Sequence, residues 1–215
     1  MSRLRFDIST SLDGFIAGPD ATLEVPLGVG GEQLHQWIFG LASWRDPHGL
    51  EGGETGPDDA VIQESLEATG AVLMGRRMFS GGQGPWADDP NRDGWWGDDP
   101  PFRKPVFILT HHARETVTYA NGTSFTFVTD GIESALEQAR EAAVEKDVSI
   151  GGGADAAQQY LAAGLVDELE LHVVPVLLGG GVRLFDRLGG NPPLLELTRV
   201  VDSPTVTHLR YGAIR

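Results

Sequence analysis

Short apolar runs alternate with amphipathic segments along most of the chain, and this pattern is typical of a sheet covered by helices. The apolar runs predict strands over residues 3–10, 71–74, 106–109, 124–128, 148–150 and 169–176. Apolar residues at helical spacing predict helices over 32–43, 58–69, 132–145 and 154–163. The last two runs, 194–201 and 206–213, predict an antiparallel pair that closes the sheet. Alternating strands and helices indicate an α/β fold with a mixed sheet.

Two long polar segments interrupt this pattern. Residues 44–57 are rich in glycine and predict a loop, and residues 81–104 hold three tryptophans and five aspartates. A structureless segment as long as 81–104 is usually functional or mobile. We therefore expect this segment to act as a lid, with Trp86, Trp95 and Trp96 covering a bound ligand.

Composition narrows the class of protein. The 215 residues are most simply one domain, 1–215, which would bury about 70% of the surface of its unfolded chain. With 31 acidic and 16 basic residues, the net charge of -15 argues against nucleic acid or an anionic membrane as partner. There is no cysteine, and the longest apolar stretch is too short to cross a bilayer. We expect a soluble, cytoplasmic protein.

An arginine pair stands where the strand 71–74 gives way to a helix, in the segment Gly75, Arg76, Arg77 and Met78. The first turn of a helix offers unpaired N–H groups and the positive end of its dipole, so an anion binds there readily. Gly75 would let a ligand approach the backbone, and the two guanidinium groups would add charged donors. These residues predict a phosphate site, although arginines on a solvated helix face are an equally simple explanation.

A second glycine turn follows the strand 148–150 and comprises Gly151, Gly152, Gly153, Ala154 and Asp155. It fits the loose pattern G-x-G-x-x-A, in which bare backbone presses against a pyrophosphate. A conventional Rossmann unit is not favoured, because the acidic residues Asp167, Glu168 and Glu170 lie at the near end of the next strand. A tight turn without a ligand is the alternative.

Three other positions are candidates for the chemistry. Thr110 and His111 follow the strand 106–109 and would suit a 2′-phosphate, or else belong to a solvated turn. His172 is a polar residue in an apolar strand, on the face shared with Glu170, and is either a satisfied core histidine or a titrating group. Asp13 is a turn former or a polar group beside a substrate. No spacing predicts a metal site.

Five segments, in the expected order, resemble the dihydrofolate reductase-like superfamily, and more closely its branch related to the reductase domain of the bifunctional deaminase-reductase of riboflavin biosynthesis. They are 11–17 (SLDGFIA), 74–79 (MGRRMF), 108–110 (ILT), 150–153 (IGGG) and 167–180 (DELELHVVPVLLGG). The resemblance implies a three-layer α/β fold with a central eight-stranded, mostly parallel sheet, antiparallel C-terminal strands and flanking helices. It also implies NADPH across the carboxyl ends of the strands, and a homodimer.

On that resemblance, Ile16 and Ala17 would line the nicotinamide, Gly75 to Met78 the phosphates, Thr110 and His111 the 2′-phosphate, and Gly151 to Asp155 the pyrophosphate. Trp37 and Phe39, on the first helix, would wall the substrate ring, and Asp13 or His172 would support protonation of the product.

Two departures leave the substrate open. Folate reductases carry an acidic residue on the first helix, whereas residues 33–37 contain none, although Glu32 is near. The zinc motif of the deaminase domain is also missing, since the chain has no cysteine.

The leading hypothesis is an NADPH-dependent reductase, similar to 5-amino-6-(5-phosphoribosylamino)uracil reductase or to dihydrofolate reductase. It would act on a pyrimidine- or pterin-like heterocycle or a related C=N or C=O compound. A non-catalytic NADP-binding or ligand-sensing protein is the main alternative, and an enzyme for phosphosugars or nucleotides without redox chemistry is a third.

Overall fold

One large sheet organises the chain in the computed structural model, which describes residues 2–189 and 193–214. Its strands within these residues are β1 (Leu4–Ser11), β3 (Thr69–Gly75), β4 (Pro105–Leu109), β5 (Val117–Thr118), β6 (Ser124–Val128), β7 (Asp147–Ile150), β8 (Glu168–Val174), β10 (Leu194–Asp202) and β11 (Thr207–Ile214). A separate small sheet joins β2 (Phe15–Ala17) to β9 (Val182–Arg183).

The strand order of the large sheet is β10-β11-β8-β1-β7-β3-β4-β6-β5. The six strands from β8 to β6 pair in parallel, whereas β11 and β10 at one edge and β5 at the other are antiparallel. The predicted mixed, mostly parallel sheet with antiparallel C-terminal strands is therefore confirmed. The described residues form nine strands in it rather than eight, and the two-residue edge strand β5 is one that the sequence pattern did not predict.

The helices are α1 (Ala42–Arg45), α2 (Pro57–Ala68), α3 (Arg76–Ser80), α4 (Ile132–Ala143) and α5 (Ala154–Ala162). The main core lies between the sheet and the helices α4 and α5. On α4, Ala135, Leu136, Ala139 and Ala143 are buried at helical spacing, and they pack with Leu73 and Val148 of the sheet. The segment 31–48 and α2 cover part of the other face.

The predicted helix over 32–43 is wrong for most of its length. A 3-10 helix at Gly31–Leu34 is followed by turns in which Ile38 N–H donates to His35 O at 3.1 Å and Leu41 N–H to Ile38 O at 3.0 Å. These bonds span three residues rather than four, so the segment does not close α-helical turns. Leu34, Trp37 and Leu41 are still buried together, which is the pattern that suggested a helix.

Within the described residues, no helix combines the length and the apolarity that a membrane span requires. The cytoplasmic location expected from the sequence stays a prediction.

Candidate functional site

The two glycine turns meet at the carboxyl ends of β3 and β7. Gly75 N–H donates to Gly152 O at 2.8 Å, and Gly151 N–H donates to Leu73 O at 2.8 Å. A Cβ at Gly151 would lie 2.9 Å from Val72 Cγ1, and Gly152 has a φ of +112°. Glycine is therefore required by both geometry and space, and the turn presents bare backbone at this edge.

The second glycine turn opens directly into α5. The first helical hydrogen bond there is donated by Ala157 N–H to Gly153 O at 3.1 Å, and no side chain caps the helix. The N–H groups of the preceding residues, Ala154 and Asp155 among them, thus point out of the end of the helix. Together with the bare glycine backbone, this arrangement fits the phosphates of a dinucleotide.

We call the two glycine turns and the N-terminus of α5 the cradle. The sequence predicted the Arg76 side chain in this cradle, but the side chain is buried and directed at residues 81–104. Its Nη2 lies 2.5 Å from Asp89 Oδ2, and its guanidinium is stacked 3.4 Å from the centroid of the Trp86 ring. Ser80 Oγ contacts Arg76 Nη1 and donates to Asp89 Oδ2 at 2.7 Å. The side-chain role predicted for Arg76 is therefore not supported by this arrangement.

The pKa of Asp89 reflects this pairing. Burial alone would raise it, but hydrogen bonds from Ser80 and Arg76 outweigh burial and lower it. Asp89 is thus a carboxylate at neutral pH, and it neutralises Arg76 where they meet.

Arg77 and Met78 remain at the cradle. The Arg77 side chain is 62% exposed and lies 3.7 Å from the Asp155 carboxylate, which Arg187 also approaches at 3.3 Å. A Cβ on Gly152 would lie 3.5 Å from Met78 Cγ, so Met78 rests on the second glycine turn. Arg77 is held loosely enough to turn toward a bound anion.

The turn after β4 is closed on itself and on the long segment. Thr110 is buried, and its Oγ1 accepts the N–H of His112 at 3.1 Å, whereas His111 is exposed. Trp86 Nε1 donates to His112 O at 2.7 Å. The Thr110 hydroxyl is thus already used as an acceptor, and His111 is the side chain of this turn that is open to a ligand.

Residues 81–104 are anchored rather than free. Trp86 and Trp96 pack into an aromatic cluster with Phe79, Phe102, Phe125 and Phe127. Trp95 lies closer to the cradle, where its Nε1 donates to Met78 O at 2.9 Å. The structure does not support the lid expected from the sequence for Trp86 and Trp96, because their rings belong to this cluster.

Asp13 serves as an anchor for the loop that follows β8. Its carboxylate accepts the Ser11 hydroxyl at 2.6 Å and the backbone N–H groups of Leu178 and Gly179 at 3.2 and 2.8 Å. The hydrogen bond from Ser11, followed by those from the backbone, lowers the pKa of Asp13 to about 2. A group with that pKa has no proton to donate at neutral pH, so the geometry does not support Asp13 as an acid.

His172 belongs to a buried polar chain on the face of the sheet beneath Trp37. Its Nδ1 lies 2.7 Å from Nδ1 of His208 on β11, and His208 Nε2 lies 3.0 Å from Asp58 Oδ1 on α2. Burial, followed by the neighbouring His208, lowers the pKa of His172 to about 3. Neither His208 nor Asp58 stood out in the sequence, because each becomes notable only through a partner far along the chain.

The two predicted substrate aromatics diverge. Trp37 is buried, donates from Nε1 to Ser9 Oγ at 3.1 Å, and packs on the rings of His172 and His208 at 5.0 and 5.2 Å. Phe39 is exposed and packs on Trp44 at 5.0 Å. Only Trp37 is thus brought to His172.

Ile16 and Ala17, expected at the nicotinamide, lie on the short strand β2. The Ile16 side chain is buried in the main core, which leaves Ala17 and the backbone for any ligand. A Cβ on Gly181 would lie 2.0 Å from Ala17 O, so the loop after β8 closes tightly on this strand. The run Gly179, Gly180, Gly181 is the sequence signal for this contact: its first two residues belong to a segment of the resemblance, but the sequence alone assigned them no role.

Comparisons with known proteins agree with this architecture. The family model of the RibD C-terminal domain matches residues 3–209. An uncharacterized protein of Bacillus subtilis (strain 168), YyaP, is 24% identical over 193 residues, which cover 85% of this chain and 80% of that protein.

Solved structures share the fold across the whole chain. A protein of Shewanella sp. PV-4, named for riboflavin biosynthesis, is 23% identical with a TM-score of 0.66 and full coverage of both chains. The bifunctional deaminase/reductase of Thermotoga maritima is 15% identical, with a TM-score of 0.61 over 99% of this chain and 57% of its own. A dihydrofolate reductase of Enterococcus faecalis in complex with NADP(H) is 14% identical, with a TM-score of 0.52 and coverage of 98% and 96%. By the match of its family model, this chain belongs to the RibD C-terminal domain family.

Proposed function

We propose that this protein is an NADPH-dependent reductase, active on a pyrimidine- or pterin-like heterocycle or a related C=N or C=O compound. The main supporting observation is that the two glycine turns lie side by side, joined by the hydrogen bond from Gly75 N–H to Gly152 O. They meet next to the N-terminus of α5, which no side chain caps. Membership in the RibD C-terminal domain family supports a reductase-type activity. When bound, NADPH would supply the hydride.

The chain's own residues would hold and orient the cofactor. Backbone N–H groups at Gly153, Ala154 and Asp155 would receive the pyrophosphate, and the exposed side chains of Arg77 and His111 would add donors for phosphate. Ala17 on β2 would line the nicotinamide by its backbone. The loop closed by Gly181 would keep water from that end of the site.

Protonation of the product would pass through a water and not come directly from Asp13 or His172, because pKa values of about 2 and about 3 leave neither side chain a proton to donate at neutral pH. The Nδ1 atoms of His172 and His208 are 2.7 Å apart, so one of them carries the proton that joins the two rings. His208 in turn faces Asp58, which favours a proton on its Nε2. The proton between the rings then lies on Nδ1 of His172, in a buried pair that Trp37 shields from solvent.

The cofactor claim is tested by titrating the protein with NADPH and following the fluorescence of the nicotinamide. In Gly152→Ala the new Cβ lies in a left-handed backbone position at the cradle, and we expect affinity for NADPH to fall at least tenfold. Gly164→Ala is the matched control, because Gly164 is also left-handed, with a φ of +66°, but nothing lies within 4 Å of its Cβ position. Equal losses in both variants, or no binding by the unmodified protein, would contradict the proposal.

A non-catalytic NADP-binding or ligand-sensing protein is the alternative that the site itself favours to some degree. Asp13 has no proton to give, and His172 lies buried beneath Trp37. Oxidation of NADPH by any pterin, pyrimidine or small carbonyl compound distinguishes the two, because a pure binder oxidises none. Competition by simple phosphate esters as strong as that by NADP would instead favour the phosphosugar or nucleotide enzyme.

We also propose that the protein acts as a homodimer of single-domain chains in the cytoplasm. The strands β11 and β10 carry an apolar face that α4 and α5 leave uncovered. Register and alternation place these residues on it: Leu209, Tyr211, Leu195, Leu197 and Val200. A second copy of this chain would cover it, and sedimentation at micromolar concentration would show a dimer that Leu197→Asp disrupts.

A further inference from the structure

The arginines at the cofactor edge are accompanied by acidic partners. Arg76 contacts Asp89, Arg77 and Arg187 share Asp155, and Arg114 Nη2 lies 2.5 Å from Asp93 Oδ1. In a chain of net charge -15, these arginines therefore do not form a strongly positive patch. Among these acids, Asp89 is the buried one.

Arg76 lies between the turn that begins at Gly75 and the turn after β4, both of which the proposed cofactor would contact. It follows Gly75 directly, and its guanidinium stacks on Trp86, whose indole N–H is bonded to His112 O in the turn after β4. In dinucleotide sites an arginine near the ribose accommodates a 2′-phosphate, whereas a carboxylate favours the free 2′-hydroxyl. This chain holds both groups in contact.

Release of Arg76 to a phosphate would be costly. The side chains of Arg76 and Asp89 are 8% and 2% exposed, and Ser80 contacts both. Withdrawing the guanidinium would leave the Asp89 carboxylate buried beside a phosphate of the same sign, a penalty of at least about a hundredfold in affinity. The Nε group of Arg76 is buried and has no hydrogen-bond acceptor among the described residues, so Asp89 and Ser80 hold the guanidinium through its Nη atoms.

We infer that Asp89 is a specificity-determining residue that neutralises Arg76, so that the cradle binds NADH nearly as well as NADPH. This inference rests on the proposed function and refines it, because the extra phosphate is then held by Arg77 and His111 alone. The effect of Asp89 passes through Arg76, since the carboxylate itself is too buried to contact a cofactor.

The test is a pair of binding titrations, with NADH and with NADPH, at about 0.15 M salt. We expect the unmodified protein to bind the two within about tenfold of each other. Asp89→Asn keeps the shape and removes the charge, and it should strengthen NADPH binding at least tenfold while NADH changes less than threefold. The exposed neighbour Asp88→Asn removes the same charge and should alter neither by more than threefold.

A double variant, Arg76→Gln with Asp89→Asn, removes both charges at once and should keep the preference of the unmodified protein within threefold. If Asp89→Asn alone fails to fold, the double variant still tests the inference. A tenfold loss of NADPH preference in the double variant would overturn the inference, because Arg76 would then contribute its charge in the native protein. An unchanged or lower preference in a folded Asp89→Asn protein would overturn it as well. If neither nucleotide binds the unmodified protein, the proposed function itself fails, and this inference fails with it.

Discussion

Two polar regions of this protein hold their charges in opposite ways. At the rim of the cradle formed by the two glycine turns and the start of α5, the Arg77 and Asp155 side chains are 62% and 59% exposed and lie 3.7 Å apart. Inside, between the sheet and α2, Arg210 contacts Glu170 at 2.9 Å with side chains that are 12% and 1% exposed. The rim can thus rearrange around a ligand, whereas the interior cannot give up a partner cheaply.

The interior pairs form a ladder because of strand register. On β1, β8 and β11, Asp7, Glu170 and Arg210 lie directly opposite one another. The next rung toward the carboxyl edge holds Ser9, His172 and His208. These side chains share one face, since alternate residues of a strand point the same way. The buried chain that ends at His172 therefore continues a structural feature of the sheet, while the rim is independent of it.

The largest effect is expected where a buried partner is removed. Arg210→Met leaves the buried Glu170 carboxyl without its partner, and breaking such a pair costs about 3–5 kcal/mol of unfolding free energy. Arg3→Met is the matched control, because Arg3 also contacts Glu168, at 3.0 Å, but its side chain is 53% exposed. We expect the control to lose less than about 1 kcal/mol in urea unfolding followed by circular dichroism. Similar losses in the two variants would show that the interior pair is no different from a surface pair.

The next largest loss of stability is expected at Trp37, which packs over the rung of Ser9, His172 and His208, here called the histidine rung. Trp37→Phe removes the indole N–H that is bonded to Ser9 Oγ and leaves a buried acceptor, which costs about 1–2 kcal/mol. Phe39→Leu is an exposed change of aromatic surface two residues away and should cost about 0.5 kcal/mol or less. Thermal unfolding of the two variants measures both, and equal shifts of Tm would contradict the packing described for Trp37.

The sequence allowed the rim to be predicted better than the interior, for a physical reason. Glycine turns, a strand end and a helix start are local features, so the amino-acid pattern alone assigns Gly75 and Gly151 to the same edge of the sheet. The alternation of β8 also put His172 on the face of Glu170, and the register confirms this. The partners of these residues lie far away along the chain, and no local pattern announces them.

Arg76 shows the limit most clearly. Its position at the first turn of α3 could be predicted, but the direction of its side chain depends on Asp89, 13 residues later in a segment without regular pattern. The helix predicted over 32–43 was wrong for a related reason. A 3-10 helix and successive turns bury residues at nearly the same spacing as an α-helix.

The histidine rung should also make stability depend on pH. The pKa of His172 is lowered from 6.5 to about 3 in the folded protein, so between these values the unfolded chain binds more protons and stability falls as pH falls. The slope from one such group is at most about 1.4 kcal/mol per pH unit. Burial raises the pKa values of Asp7 and Glu170 above 3.8 and 4.5, and these groups act in the opposite direction above those values, in a window that overlaps that of His172.

The contribution of His172 is isolated by comparing the unmodified protein with His172→Gln between pH 7 and pH 5. His208, Asp58 and His35 are present in both proteins, so the comparison changes only the side chain at position 172. We expect the unmodified protein to lose more unfolding free energy than the variant over this range. Parallel curves would show that His172 is not held neutral by its surroundings.

The smallest change in stability is expected at the rim, together with a change in binding. Arg77→Gln removes an exposed contact of 3.7 Å and should alter the unfolding free energy by less than about 0.5 kcal/mol. Arg103→Gln is the matched control, since Arg103 is 52% exposed, lies 4.0 Å from Asp99 and precedes β4 at the opposite edge of the sheet. Both variants should unfold like the unmodified protein, but only Arg77→Gln should weaken NADPH binding, by about threefold to tenfold, which corresponds to one charge-assisted hydrogen bond. Equal NADPH affinities in the two variants would mean that Arg77 contributes neither to NADPH binding nor to stability.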